Sequence, residues 1–135
     1  MTRVLIVDDK QENLYLMRAL LQGLGWTVDE ARNGTEALAR ARKARPHLVI
    51  SDLLMPGMDG YTLLRHWRAD RQLQGIPFVV HTATYTEPKD QHLAMELGAD
   101  AFIAKPVEPD EFLVCVKEIM DKQARGELRL HKEHK

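Results

Sequence analysis

The sequence predicts an α/β fold in which a doubly wound, five-stranded parallel sheet is covered by helices on both faces. Three observations carry this. Short apolar runs alternate five times with longer segments of helical period. Several of the runs are unbroken aliphatic stretches, as strands buried on both faces require. Glycine or proline stands between many of the segments.

Val4 to Val7 is the first such run, and helical spacing takes over at Leu14, Met17, Leu21 and Leu24 until Gly25 stops it. Trp26 to Ala31 is a weaker second strand. Asn33-Gly34 then turns the chain into a helix through Ala37, Leu38 and Ala41, which Pro46 ends. His47 to Ser51 is the third strand. A long loop from Leu53 to Gly60, carrying Pro56 and Gly57, leads to a helix with Leu63, Leu64 and Trp67. Phe78 to His81 is the fourth strand, followed by a helix from about Pro88 to Leu97 that stops at Gly98. Ala101 to Ala104 is the fifth. Pro109 suits a first helical position, with Asp110 and Glu111 in the favourable first turn, and the last helix is expected to bury Phe112, Leu113, Val116 and Met120.

A chain of 135 residues, 44% of them hydrophobic, has the size and the apolar content for one domain with a real core. Nineteen basic residues nearly cancel twenty acidic ones, so the broad positive field that nucleic-acid binding requires is missing. Cys115 stands alone, which excludes a disulfide framework and a Cys-pair zinc site, and its valine neighbours predict a buried thiol. No apolar run is long enough to span a membrane and no leader pattern opens the chain, so a cytoplasmic protein is expected. The six histidines show no paired metal spacing. His81 precedes Thr82 at the end of the fourth strand, where it could tune the cleft, and a packed or solvated imidazole is the plainer reading.

Ligands of open α/β sheets bind beyond the carboxyl ends of the strands. Here the first strand ends in Asp8 and Asp9, the third in Asp52, the fourth in Thr82 and the fifth in Lys105. Each has a plain local explanation as a cap, an Asx-turn or a solvated charge. Together they gather three carboxylates, and like charges about 4 Å apart repel by roughly 4 kcal/mol at an effective dielectric near 20. Lys105 compensates in part. A hard divalent cation with oxygen ligands would supply the rest, and Mg²⁺ suits one or two carboxylates and a phosphate partner. Carboxylates, a metal, a hydroxyl and a lysine are what phosphoryl transfer needs. Asp52, alone on the central strand, is the candidate nucleophile for an aspartyl phosphate.

These residues resemble the receiver domain of bacterial two-component response regulators. The resemblance rests on Val7-Asp8-Asp9, on Ser51-Asp52-Leu53-Leu54-Met55-Pro56-Gly57-Met58-Asp59-Gly60, on Thr82-Ala83 and on Lys105-Pro106, and it runs from about Arg3 to Met120. It implies a flavodoxin-like strand order of 2-1-3-4-5, a cis peptide before Pro106 and a signalling role rather than turnover of a substrate. Asp52 would take the phosphoryl group from a histidine kinase or phosphotransfer protein. Mg²⁺ would be held by Asp9, Asp52, the backbone carbonyl of Leu54 and, through water, Asp8. Lys105 and Thr82 would contact phosphoryl oxygens, and Phe102 would stand at the switch aromatic. An output domain or protein, and a homodimer formed on phosphorylation, are the further partners it implies.

A haloacid-dehalogenase-like phosphatase would carry a second aspartate two residues after the nucleophile, where this chain has Leu54. A flavin module would need a Ser, Thr and Gly-rich turn in place of Asp8-Asp9-Lys10. A degenerate receiver would lack some of the acceptor-site residues, all of which are present. The domain is expected over 1–124. Residues 125–135, with only Leu128 and Leu130 as large apolar members, are expected to be a solvated tail or linker toward another module of a longer protein.

Overall fold

A computed structural model describes residues 1–128 of the chain. Five strands, β1 (Arg3–Val7), β2 (Thr27–Ala31), β3 (Leu48–Ser51), β4 (Phe78–Thr82) and β5 (Ala101–Ala104), alternate with five helices. These are α1 (Gln11–Gln22), α2 (Gly34–Lys43), α3 (Gly60–Ala69), α4 (Pro88–Glu96) and α5 (Pro109–Ala124). Every neighbouring pair of strands is parallel and their order is β2-β1-β3-β4-β5, as the resemblance implied.

Alternation along the strands divides the core into two layers. Leu5, Val7, Val49, Phe78 and Val80 face α2 and α3, where Trp67 meets Phe78 edge-on at 5.9 Å between ring centres. Val4, Ile6, Ile50, Val79 and Ile103 face α1 and α5. Because β1, β3 and β4 are buried on both faces they read as continuous apolar runs rather than alternating ones.

The helix boundaries follow local chemistry. Asn33 caps α2 by accepting from the Glu36 amide at 2.8 Å, and Asp59 caps α3 by accepting from the Thr62 amide at 2.8 Å. In α5 the most buried residues are Phe112, Val116 and Ile119, whereas Leu113 and Met120 are only half-buried. Spacing of four and three residues keeps one stripe against the sheet, and Met120 has rotated to its flank. Cys115 lies on the opposite flank and is half-buried rather than buried, with burial raising its thiol pKa.

Gly126 ends α5 in the left-handed conformation, φ 70°, so the Gly126 amide donates to the Gln123 carbonyl and the Glu127 amide to that of Lys122. Leu128 then packs against the α1/α5 layer. The first residues of the expected tail therefore close the helix, and 129–135 lie outside the described residues. Among the described residues no helix is long and apolar enough to cross a membrane.

At the amino-terminal edge of β4 and β5 sits a buried charge cluster that the sequence pattern did not announce. Arg68, at the end of α3, donates to the carbonyls of Gly98 (2.7 and 2.9 Å), Gln74 (2.8 Å) and Ile76 (2.8 Å) and to Asp100 Oδ2 at 2.8 Å. Asp100 Oδ2 also accepts from the Phe78 amide at 2.9 Å. Gly98 has φ 111°, and a Cβ there would come within 3.0 Å of the Arg68 side chain.

Candidate functional site

The parallel ladder carries the polar residues to one sheet edge. The Asp8 amide donates to Ala31, the Asp52 amide to Val7 and the Lys105 amide to Thr82, each one residue beyond or at its strand's end. Asp8 and Thr82 are fully buried and Asp52 is nearly so. Carboxylate oxygens of Asp8, Asp9 and Asp52 all lie within 4.8 Å of one another. Lys105 Nζ bridges two of them, 3.1 Å from Asp8 Oδ2 and 3.3 Å from Asp52 Oδ2.

Asp8 is held further by the Lys10 amide and by Asn13 Nδ2, at 3.0 Å and 3.2–3.3 Å. Asp52 Oδ1 accepts from the Leu53 amide at 2.7 Å, with Leu54 at 3.4 Å. Its main chain is fixed by a close approach: a Cβ on Gly60 would collide with the Asp52 carbonyl oxygen and come within 2.6 Å of Leu53 Cα. Only glycine fits where α3 starts against the end of β3. The peptide bond between Lys105 and Pro106 is cis, as expected.

Thr82 is not turned onto Asp52. Its Oγ1 accepts from the Thr84 amide at 3.2 Å and lies 3.1 Å from Thr84 Oγ1. In the loop beyond it Tyr85 takes φ 55° and sets its ring, tilted by 59°, 5.9 Å from that of Tyr61 of α3. Phe102 is half-buried against the α2/α3 layer. Leu54 is 53% exposed, with its side chain over the mouth of the site.

A profile of the response regulator receiver domain matches residues 4–117. The chain belongs to the response regulator receiver family. It is 39% identical over 115 residues to the DNA-binding response regulator MtrA of Mycobacterium tuberculosis, a match covering 85% of this chain and 49% of MtrA. The receiver thus spans about half the length of the MtrA proteins it matches. Protein PilH of Pseudomonas aeruginosa is 32% identical over 120 residues, 89% of this chain and 98% of PilH. The receiver domain of the sensor histidine kinase PA1611, also of P. aeruginosa, superimposes with a TM-score of 0.80 at 25% identity, covering 89% of this chain and 98% of its own. That structure has magnesium coordinated in the active-site cleft. The family membership makes this chain a two-component signalling domain, and the family's cleft holds Mg²⁺.

The receiver's own residues fit such an ion. Three hard carboxylate donors converge, one of them with no exposure to water, which is the donor chemistry Mg²⁺ selects.

Two features of the cleft were not apparent from the strand ends. A cavity of about 680 Å³ opens beside Asp52 and Lys105 and runs between α1 and the start of α5. His81 lines it, with its ring 5.2 Å from that of Phe112 and a buried Nδ1 that has no hydrogen-bond partner. A polar residue one place before a strand's end gives no sign in a sequence of whether it faces core or solvent; here alternation with Thr82 sends it to the α1/α5 side.

Burial, reinforced by the Lys105 charge and opposed by Asp52, lowers the His81 pKa from 6.5 to about 4. The folded protein therefore binds fewer protons than the unfolded chain between these values. The stabilising contribution is present above pH 6.5 and is lost as pH falls toward 4. In denaturant melts at pH 7.5 and pH 5, the stability of the native protein relative to His81→Phe should fall by about 2 kcal/mol. A gap that does not change with pH would mean that His81 is not held neutral by the fold.

Proposed function

We propose that this receiver takes a phosphoryl group on Asp52 from the phosphohistidine of a histidine kinase or phosphotransfer protein in the cytoplasm. The observation that supports this most directly is the Lys105 ammonium bridging Asp8 and Asp52 within a cluster of three carboxylates. Asp52 Oδ2 faces the cation that would meet an incoming phosphoryl oxygen. Mg²⁺ would be held by Asp9, Asp52 and the Leu54 carbonyl, with Asp8 acting through water, and it supplies charge neutralisation for the transfer.

The chain's own residues account for the rest. Asp52 is the nucleophile, with its Oδ2 paired to the Lys105 ammonium at 3.3 Å. Lys105 exchanges a carboxylate oxygen for a phosphoryl oxygen. Thr82 leaves Thr84 to donate to another. New charge-assisted hydrogen bonds contribute about 1.5–3 kcal/mol each, and moving a two-state equilibrium from 1:99 to 99:1 takes about 5.5 kcal/mol. Two or three such bonds suffice to rearrange the loop after Thr82 together with Phe102. That movement would alter the α4–β5–α5 face read by an output domain or protein, or by a second phosphorylated copy. Residues 125–135 would link the domain to that output.

The domain would catalyse only its own phosphorylation and slow loss of the group. Leu54 cannot act as the general acid that a haloacid-dehalogenase-like phosphatase has two residues after its nucleophile. Acetyl phosphate with Mg²⁺ should load one phosphoryl group per chain, labile to acid and base, and EDTA should prevent loading. Continuous release of phosphate at many turnovers per minute would instead assign the chain to the enzymes.

A further inference from the structure

Tyr61 of α3 touches the loop after β4 at both of its ends. Its ring meets that of Tyr85, and its hydroxyl donates to the Asp90 carbonyl in the first turn of α4 at 3.4 Å. Burial, then the Asp90 charge, push the Tyr61 pKa up from 10, so the hydroxyl stays a donor at neutral pH. The loop is also closed on itself at each end. The Thr84 amide donates to Thr82 Oγ1 and the Glu87 amide to Asp90 Oδ2, both at 3.2 Å.

The mounting of Tyr61 is firm. It follows Gly60, whose amide donates to the Leu53 carbonyl at 2.8 Å and which lies so close to the Asp52 carbonyl that no Cβ fits. Its own side chain is half-buried against the α2/α3 layer. One residue therefore joins the backbone that carries Asp52 to the loop that engages Thr82. Tyr85 is the less secure partner. A bulky L side chain seldom takes a φ of 55° and keeps it only where its surroundings hold it. Tyr85 is 45% exposed, and among the described residues its ring meets one other, that of Tyr61.

We infer that Tyr61 is a positioning residue that holds the loop after β4 in its resting form and opposes the release of Thr82 from Thr84. The inference rests on Asp52 being the phosphoacceptor and Thr82 a contact of its phosphoryl group. Strain at Tyr85 favours departure from the resting form, and the ring contact opposes it. Removing the contact leaves the strain, and so shifts the equilibrium toward the form in which Thr82 is free. Loss of an aromatic pair corresponds to about two- to tenfold in such an equilibrium. Where the released form is the minor one, a reaction that passes through it speeds up in proportion.

The test uses the full chain as Tyr61→Ala, Tyr61→Phe, Tyr85→Ala and the double alanine variant beside the native protein. Amide exchange is followed by NMR at Thr84, with Val49 in the middle of the sheet as the reference for global opening. Loading by acetyl phosphate with Mg²⁺ is followed by intact mass. Tyr61→Ala should raise exchange at Thr84 relative to Val49 by about two- to tenfold, and should load Asp52 faster by a similar factor. A faster reaction in a truncated variant is the opposite of what lost structure alone produces. Tyr61→Phe should stay near the native protein, because the ring makes the contact and the hydroxyl bond is long. Tyr85→Ala should match Tyr61→Ala, and the double variant should exceed neither, as one shared contact requires. Equal relative exchange at Thr84 in the native and Tyr61→Ala proteins would overturn the positioning role. Faster exchange with loading no faster would overturn the opposition to Thr82 release. Failure of the native protein to load would overturn the phosphoacceptor reading, and the exchange rates would still decide whether Tyr61 holds the loop.

Discussion

Asp52→Asn is expected to reduce phosphoryl incorporation from acetyl phosphate to background while leaving a folded protein. The carboxamide is not a nucleophile toward phosphorus, and Asp8 is not placed to substitute. Asp8 is fully buried beneath the site, where Lys10, Asn13 and Lys105 hold both its oxygens. The fold should survive because Lys105 keeps Asp8 at 3.1 Å when its second partner is neutralised. One of three mutually repelling carboxylates disappears, so the melting temperature should be unchanged or higher. Asp52→Glu sharpens the test. It retains a carboxylate but moves it by about one bond, and a displacement near 1 Å costs about 100-fold in a positioned reaction. Stoichiometric labile phosphate in Asp52→Asn, located by tryptic mapping to Asp9 or Asp59, would move the acceptor there.

Arg68→Met should be strongly destabilising although it lies far from the site. The Arg68 and Asp100 side chains are 4% and 5% exposed, and the guanidinium satisfies carbonyls in two separate loops. Removing it takes the guanidinium donors from the Gln74 and Gly98 carbonyls and from Asp100, which keeps the Phe78 amide, a loss of about 3–5 kcal/mol when one partner of a buried pair is deleted. For a domain of this size that corresponds to about 10–20 °C in Tm. Arg68→Lys keeps the charge but not the fork, and should fall between. Calorimetry decides this: a fall of less than about 3 °C for Arg68→Met would show that the loops around Gln74 and Gly98 are held by other contacts. Phosphoryl loading of the folded fraction should be unaffected, because the cluster lies at the opposite edge of the sheet from Asp52.

What the sequence revealed and what it hid have different physical origins. β3 and β4 were legible because burial on both faces demands consecutive apolar side chains, and the helix starts at Asn33 and Pro109 because capping and the first turn have strong residue preferences. The convergence of Asp8, Asp9, Asp52 and Lys105 was legible because parallel strands place all their carboxyl ends at one edge. Arg68 was not. An arginine at the end of an amphipathic helix usually lies in solvent, and its burial here depends on carbonyls of two loops, one of them thirty residues away along the chain. The burial of His81 was hidden for a related reason, since its surroundings come from α5 and from Lys105. The placement of Ile119 rather than Met120 against the sheet turns on a fraction of a helical step, which apolar spacing alone does not resolve.

The Thr82 Oγ1 is engaged locally at rest, accepting from the Thr84 amide and sharing a hydrogen bond with the Thr84 hydroxyl. Any anion that draws it toward Asp52 must first break that local ring, and so gains only the difference between the new bonds and the old. This makes the resting contact a threshold. A sulfate or phosphate ion drifting into the cleft without a covalent tether offers brief contacts and loses its own freedom in making them, so it is discounted. A phosphoryl group fixed to the protein has already lost that freedom and can hold the hydroxyl continuously. On the proposed phosphoacceptor role of Asp52, the Thr82–Thr84 pair would work as a noise filter, discounting free inorganic anions and passing a signal only when it arrives as a bond.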